Sequence, residues 1–342
     1  MKIKVLIFGG AGFIGSNIAN YLASKKNYSI TIADNFSRGK KDLYLDKMLL
    51  EYDNISIING DFTQNIAFDQ LDKDYDFFYM LASVVGVNNT LEKPHEIIRI
   101  NTLLIINTLE WLKKSEVKKV LFTSTSECYA ASTEFFNFPI PTSEKVPLSI
   151  LDISHPRYTY AVTKILGESG FLNYAKIFNF KCTIIRYHNV YGPRMGFKHV
   201  IPHLAERFFK NESPFLVYGS EQTRSFCYID DAVLGTVLAM ENEETNGEIF
   251  HIGTMEEITI KELVKTAGLF FDYHGPFIDA PTFPGSVDRR CPDISKAISK
   301  LGFRPKYTLQ DGLNKTLEWY KTFYESGEKS FEKSFEKPKL HV

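Results

Sequence analysis

The stretch VLIFGGAGFIG, residues 5–15, decides how the rest of the chain is read. VLIF has the length and apolar character of a strand, and a helical pattern follows from Phe13 to about Ser24. Gly9, Gly12 and Gly15 lie directly between the two. A glycine triplet alone is a weak signal. Between strand and helix, Gly9 permits the tight turn, Gly12 lets the backbone approach a pyrophosphate, and Gly15 lets helix and sheet pack closely. The helix N-terminus then offers unpaired N–H groups to phosphates. The next strand pattern, SITIAD (29–34), ends in Asp34. A carboxylate there can accept both adenosine ribose hydroxyls and would repel a 2′-phosphate, which favours NAD over NADP. Arg38, Lys40 and Lys41 lie close by and would soften that preference. Asp61 follows a third strand, ISIINGD (55–61), and reads either as an adenine contact or as a helix N-cap.

Further strand patterns are YDFFYMLA (75–82), VKKVLFTST (117–125) and KCTIIRY (181–187), with helical patterns between most of them, notably 94–114 and 157–178. Such alternation predicts an α/β fold, a doubly wound parallel sheet of Rossmann type. Ala82 and Ser83 then end a strand at the face where cofactors bind. After Tyr187 the rhythm breaks. YGPRMGFKHVIP reads as loop, FLVYGS (215–220) and FCYID (226–230) as short strands, and 230–242 as a helix. EIFHIG (248–253) is a strand, and 258–271 and 295–303 are small helices. The expected organisation is a dinucleotide domain over 1–188 with a return segment at 226–254. A smaller α/β C-terminal substrate domain takes 189–225 and 255–325, and a charged, flexible tail takes 326–342.

With 342 residues and a net charge of −1, the chain has room for one large or two modest domains and no bias toward nucleic acid or anionic membranes. Cys128, Cys182, Cys227 and Cys291 are scattered without a C-x-x-C pair, which suits a reducing cytoplasm and no zinc site. No signal-peptide layout is seen at the N-terminus. The apolar run 97–112 carries Arg99, Asn101, Asn107 and Glu110, so it reads as an amphipathic helix, not a membrane span. His199 and His203 stand four apart, but Pro202 argues against a regular helix there and no third ligand is evident. No metal is expected.

The chemistry is carried by RYTYAVTK, 157–164. Tyr160 and Lys164 are one helical turn apart and share a face. The strand before them ends in TSTSECYA, which puts Thr125, Ser126 and Glu127 at the same crevice. A phenol is a poor base at neutral pH, and a nearby ammonium plus the positive nicotinamide favours its ionised form. Tyr160 can then take a hydroxyl proton while hydride leaves the same carbon, with Lys164 on the nicotinamide ribose and Thr125 on the reacting oxygen.

Several segments recur in an order that resembles one family: GGAGFIG, Asp34, LAS-x-x-x-V (81–87), STSECY (124–129), Y-AVT-K (160–164), RYHNVYGPR (186–194), RSFCYIDD (224–231), FHIG (250–253) and RRCPD (289–293). The chain is similar, up to about residue 325, to the extended short-chain dehydrogenase/reductases, the NAD-dependent nucleotide-sugar epimerase/dehydratase family. That family includes UDP-galactose 4-epimerases, dTDP-glucose 4,6-dehydratases and UDP-glucuronate decarboxylases. The resemblance implies bound NAD, a nucleoside-diphosphate sugar as substrate, polysaccharide-precursor biosynthesis, and a homodimer built through the long apolar helices. It implies Thr125, Tyr160 and Lys164 as the catalytic set, with Glu127 and Ser126 beside them. It places Phe13, Ile14, Asn35, Ser37, Arg38, Phe62, Leu81, Ala82, Ser83, Tyr187, Asn189 and Val190 at the cofactor. Val85, Asn189, Val200 and Arg224 fall at the substrate, and Arg290 at its diphosphate.

All these relatives begin by oxidising C4 of the sugar. The dehydratases carry an Asp–Glu pair where this chain has Ser126–Glu127, so the acid for ordinary dehydration is missing. The decarboxylases show the Thr–Ser–Glu run found here, but a Pro-rich loop where this chain has SVVGVNNTLEKP, which is closer to epimerases and dehydratases. Epimerisation or dehydration is the leading expectation. Net C4 dehydrogenation, for instance of a heptose, and decarboxylation stand as alternatives. A non-catalytic NAD sensor would show a broken Tyr–Lys pair, and both residues are present.

Overall fold

Seven parallel strands form the central sheet of the computed structural model, which describes residues 2–39, 41–197, 199–282 and 286–327. In chain order they are β1 (Ile3–Phe8), β2 (Tyr28–Asp34), β3 (Ile55–Asn59), β4 (Phe77–Met80), β5 (Lys119–Thr125), β6 (Lys181–Tyr187) and β7 (Glu248–Ile252). Across the sheet they run β3-β2-β1-β4-β5-β6-β7. The chain therefore reverses direction between β1 and β4, the switch point at whose carboxyl edge doubly wound sheets bind ligands.

The run VLIF is buried on both faces of the sheet, as a central parallel strand must be. Val5 and Ile7 face one core, with Ile18 and Leu22 of the helix Phe13–Ser24 and Val233 and Val237 of the helix Ile229–Glu241. Leu6 and Phe8 face the other, with Leu104 and Leu109 of the helix Pro94–Leu112 and Phe171 of the helix Thr159–Phe178. The strand Glu248–Ile252 returns to this sheet from the C-terminal half and pairs with β6.

The remaining segments form short sheets beside the carboxyl edge. Thr223–Ser225 lies between Glu257–Thr259 and Arg289–Arg290, and Phe215–Tyr218 pairs with Phe277–Ala280. The helix Ile260–Phe270 starts from a capping box in which Thr259 and Glu262 satisfy each other's backbone N–H groups.

Two helices depart from the sequence expectation. Val200–Phe209 is a regular helix although it contains Pro202, because that proline sits in the first turn, where its missing N–H has no intrahelical partner to lose. His203 then donates its N–H to the His199 carbonyl at 3.0 Å, and among the described residues no cluster of three His, Cys, Asp or Glu could hold a metal ion. Leu309–Glu325, which the sequence reading passed over, is a helix capped by Thr308, and it buries Leu313, Leu317 and Tyr320. Lys40 and residues 328–342 of the expected tail lie outside the described residues. No described helix is long and apolar enough to cross a membrane, and all four cysteines are free and buried.

Candidate active site

The glycine loop is closed by its own backbone. Gly9 adopts φ +74°, donates its N–H to Ala33 (3.0 Å), and accepts from the N–H of Gly12 (3.1 Å). A Cβ on Gly15 would stand 2.3 Å from the Gly9 carbonyl oxygen, and one on Gly9 2.9 Å from Ala82 N, across the switch point. Gly12 is the N-cap of the helix Phe13–Ser24 and supplies no side-chain cap, so among the described residues no capping side chain bonds the helix N-terminus at Phe13 and Ile14. Asp34 is buried, and its two carboxylate oxygens accept from Ala11 N–H (3.0 Å) and Phe36 N–H (2.8 Å). Burial raises its proton affinity and those backbone donors oppose the rise. Each oxygen keeps a lone pair for a ribose hydroxyl. Asn35 and Ser37 lie exposed in the next turn, Asn35 accepting from the Ser37 N–H (3.0 Å). This cradle, the open helix N-terminus and the strand-end carboxylate fit an NAD molecule.

Two residues at this loop escaped the sequence reading. Arg194, at φ +67°, pairs with Asp42 (2.5 Å) and donates to Ser16 Oγ (2.7 Å) and the Ala11 carbonyl (3.0 Å). It sits in the quoted segment RYHNVYGPR, but no spacing rule links it to a loop more than 170 residues earlier. Gly39 is the second. A Cβ there would be 2.6 Å from Ala11 C, so the chain after β2 passes directly over the glycine loop. On the far side of that passage Arg38 Nη2 bonds His199 Nε2 (3.3 Å), one residue before Val200.

Leu81, Ala82 and Ser83 follow β4, and the next turn is held by buried Asn101, which accepts from Val84 N–H (2.8 Å) and donates to the Val84 carbonyl (3.1 Å) and Thr163 Oγ1 (3.2 Å). Val85 carries Asn89 Nδ2 on its carbonyl (2.9 Å). Asp61 accepts from Thr63 N–H (3.0 Å) and Oγ1 (2.8 Å) in a turn, and the short helix that follows has Gln64 rather than Asp61 at its N-cap, so the N-cap reading does not hold. The Phe62 ring lies in the core, 4.2 Å from that of Phe8, and so offers a cofactor only its backbone.

Lys164 is buried, donates to the Thr123 carbonyl (2.7 Å), and stands 5.8 Å from the centre of the Tyr160 ring. Burial lowers its pKa to about 8. Burial also pushes the Tyr160 phenol up, and the cation that opposes it is Arg38 rather than Lys164. The sequence reading joined the ammonium to the positive nicotinamide in favouring the phenolate; in the protein alone the ammonium is turned to the Thr123 carbonyl and burial dominates the phenol. Thr125 caps the turn that carries Ser126 and Glu127, accepting Glu127 N–H at 3.3 Å, and Ser126 is buried. Beneath them Glu168 takes two bonds from Arg186 (2.8 and 2.7 Å) and one from Ser124 Oγ (2.5 Å).

Glu127 meets two arginines and feels the charge of a third. Its Oε1 accepts from Arg290 Nη1 (2.6 Å) and lies 3.9 Å from Arg157 Nη2. Burial alone would raise its pKa, but the charges of Arg290, Arg157 and Arg224 outweigh it and hold the carboxyl below its usual range. Arg224 spends its donors on the carbonyls of Thr223 (2.7 Å) and Val287 (2.7 Å) and on Ser286 Oγ (3.1 Å). Asn189, at φ +38°, donates to the Ser225 carbonyl (2.8 Å), while Val190 pairs with Cys227. The Tyr187 hydroxyl is bonded to Thr236 (2.6 Å), which leaves its ring rather than its phenol for a cofactor.

The sequence model of the NAD dependent epimerase/dehydratase family matches residues 5–253. The chain belongs to that family. It is an enzyme, and its cofactor is NAD. This epimerase/dehydratase-family chain is 34% identical over 331 residues to a UDP-N-acetyl-alpha-D-glucosaminuronate decarboxylase of Bacillus cytotoxicus, covering 94% of this chain and 98% of the relative. It is 30% identical over 314 residues to UDP-glucuronic acid decarboxylase 5 of Arabidopsis thaliana, covering 91% and 87%. Among solved structures it is similar to a UDP-glucuronic acid 4-epimerase from Bacillus cereus in complex with UDP-glucuronic acid and NAD. There the TM-score is 0.82 and the identity 27%, covering 94% of this chain and all of that one.

Proposed function

We propose that this enzyme oxidises C4 of a nucleoside-diphosphate hexuronate and then releases the C6 carboxylate as carbon dioxide. When bound, NAD supplies the electron acceptor for the first step and the donor that closes the cycle. Gly9, Gly12, Gly15 and the N–H groups of Phe13 and Ile14 hold its pyrophosphate, and Asp34 its adenosine ribose. Tyr160 takes the C4 hydroxyl proton, Thr125 orients that oxygen, and Lys164 bonds the nicotinamide ribose. The positive charge of the oxidised cofactor, added to Arg38, offsets the burial that keeps the phenol protonated in the protein alone. Asn189 and Arg224 border the nucleotide-sugar side of the cleft.

The observation that carries the net reaction is the state of Glu127. Its carboxylate accepts from Arg290, lies 3.9 Å from Arg157 and follows a serine, so the Asp–Glu dyad that would protonate a leaving hydroxyl is absent. A carboxylate β to the new C4 ketone needs no such acid. It needs a cationic seat and a ketone to receive the electron pair of the C5–C6 bond. Arg290 stands two residues from Thr125 through its bond to Glu127, which suits a sugar carboxylate better than the diphosphate role implied by resemblance. The two decarboxylase relatives support the same substrate chemistry. Incubation of the NAD-loaded protein with UDP-glucuronate and UDP-N-acetylglucosaminuronate, read by mass and NMR, tests it. Loss of carbon dioxide is expected, and loss of water would refute it. Epimerisation of the same uronate at C4 is the second reading, favoured by the segment SVVGVNNTLEKP after β4 and by the likeness to the uronate 4-epimerase. Unchanged mass with a new stereocentre would establish it.

We also propose a homodimer. Ile98 and Ile106 on one helix, and Val162 and Leu166 on its packed neighbour, expose apolar side chains at four- and eight-residue spacing. Sedimentation at micromolar concentration should give twice the chain mass.

A further inference from the structure

Arg290 is 8% exposed, yet among the described residues it makes a single bond, to Glu127, and leaves Nη2 buried without a partner. A guanidinium normally takes a carboxylate through two parallel N–H bonds, and a buried donor left unmade is costly. Arg157, from the turn that precedes the Tyr160 helix, aims Nη2 at the same Glu127 oxygen from 3.9 Å. Two arginines from separate elements thus converge on one carboxylate oxygen, and at least one of their donors is unused. The site is built for a carboxylate and Glu127 fills it incompletely.

We propose that Arg157 and Arg290 form a carboxylate seat that Glu127 occupies only until substrate arrives, and that the sugar's own carboxylate then displaces it. The proposal rests on the uronate reading above and goes beyond it in naming Arg157 as a specificity-determining residue and Glu127 as a proton carrier. The groups that act on Glu127 are Arg290 and Arg224 from the C-terminal region and Arg157 from the helix-leading turn. Tyr160, on the helix that follows, feels the Glu127 charge, and Tyr129 and Glu134 flank Arg290. When a second anion claims Arg157 and Arg290, the opposition to burial is lost and a like charge is added, so Glu127 takes up a proton.

That proton is the one the reaction consumes: R–COO⁻ + H⁺ gives R–H + CO₂. The C5–C6 bond breaks, its electron pair moves into the C4 carbonyl, carbon dioxide leaves, and C5 receives the Glu127 proton as the ketone re-forms. Binding and chemistry then balance, one proton taken up and one used.

The test is calorimetry of the NAD-loaded Tyr160→Phe protein, which binds without turning over, in buffers of differing ionisation enthalpy at pH 7. The probes are UDP-glucuronate and UDP-N-acetylglucosaminuronate, with UDP-glucose and UDP-N-acetylglucosamine as neutral controls. At least one uronate should bind with uptake of close to one proton, and the neutral sugars with none. Adding Glu127→Gln should remove the uptake and keep the binding. Adding Arg157→Met should weaken uronate binding about tenfold to a hundredfold relative to the neutral sugar. Arg157→Lys, which keeps the charge but not the fork, should fall between and serves if the methionine variant does not fold. No uptake with either uronate, equal uptake with neutral sugars, or equal weakening of both classes by Arg157→Met overturns the exchange. Turnover separates the two levels. Wild-type conversion of uronate without proton uptake removes only the exchange, whereas conversion of neutral sugars alone removes the uronate reading and the seat with it.

Discussion

Lys164 Nζ lies 5.8 Å from the centre of the Tyr160 ring and gives a 2.7 Å bond to the Thr123 carbonyl at the end of β5. The lysine is therefore anchored to the strand that carries Thr125, and the tyrosine one turn away is left without an adjacent ammonium bond. Tyr160→Phe keeps the ring and removes the phenol proposed above to accept the C4 proton. Turnover should fall by about a hundredfold to ten-thousandfold or more, while bound NAD, measured on the purified protein, is unchanged.

The Lys164 pKa, about 8 in the fold against 10.5 for an ordinary lysine, has a sign that can be checked. The unfolded chain holds the extra proton between those values. The cost of charging Lys164 in the fold is thus fully present below pH 8 and gone above about pH 10.5. In NAD-stripped protein, Lys164→Met should raise the melting temperature at pH 7, and the gain over wild type should shrink to nothing as pH rises through that window. A constant difference across the range would contradict the assignment.

Arg194 holds the underside of the glycine loop together with Asp42 and Ser16. Arg194→Met should weaken NAD binding about tenfold or more by titration of the stripped protein. Asp42→Asn should weaken it less, and the double variant should show less than the sum of the two, since they share one bond.

Gly15→Ala places a methyl group 2.3 Å from the Gly9 carbonyl oxygen, which is backbone and cannot swing aside. The variant should lose about 1–3 kcal/mol in urea unfolding and retain little NAD after purification.

Glu168 and Arg186 form a buried pair beneath the catalytic turn. Glu168→Gln leaves the guanidinium charge uncompensated and should cost about 3–5 kcal/mol in the same assay. Replacing both with apolar residues of similar volume should cost much less.

The sheet was legible because its code is local. Apolar runs of strand length, a glycine turn whose spacing matches a strand-to-helix junction, and alternation with helical periods all act within a few residues. The same holds for Tyr160 and Lys164, since four residues on one helix must share a face. The helix Leu309–Glu325 was missed because its outer face is so polar that its mean hydropathy is unremarkable, and its buried apolar stripe is the short set Leu313, Leu317, Tyr320 and Phe323. Pro202 misled for a related reason. Proline forbids a helix interior but not a first turn, and the sequence does not say where the turn begins.

What the residue order determined by itself is the Rossmann sheet, the dinucleotide loop, the tyrosine–lysine pair and the family to which they belong. What only the tertiary structure decided is who meets whom across distance: Arg194 under the glycine loop, Asn101 behind β4, and Arg157 and Arg290 on one oxygen of Glu127. Those contacts join residues as many as 183 positions apart. No periodicity reaches that far, because side-chain charge and hydrogen bonding act through space over a few ångströms, and only the folded backbone sets those distances.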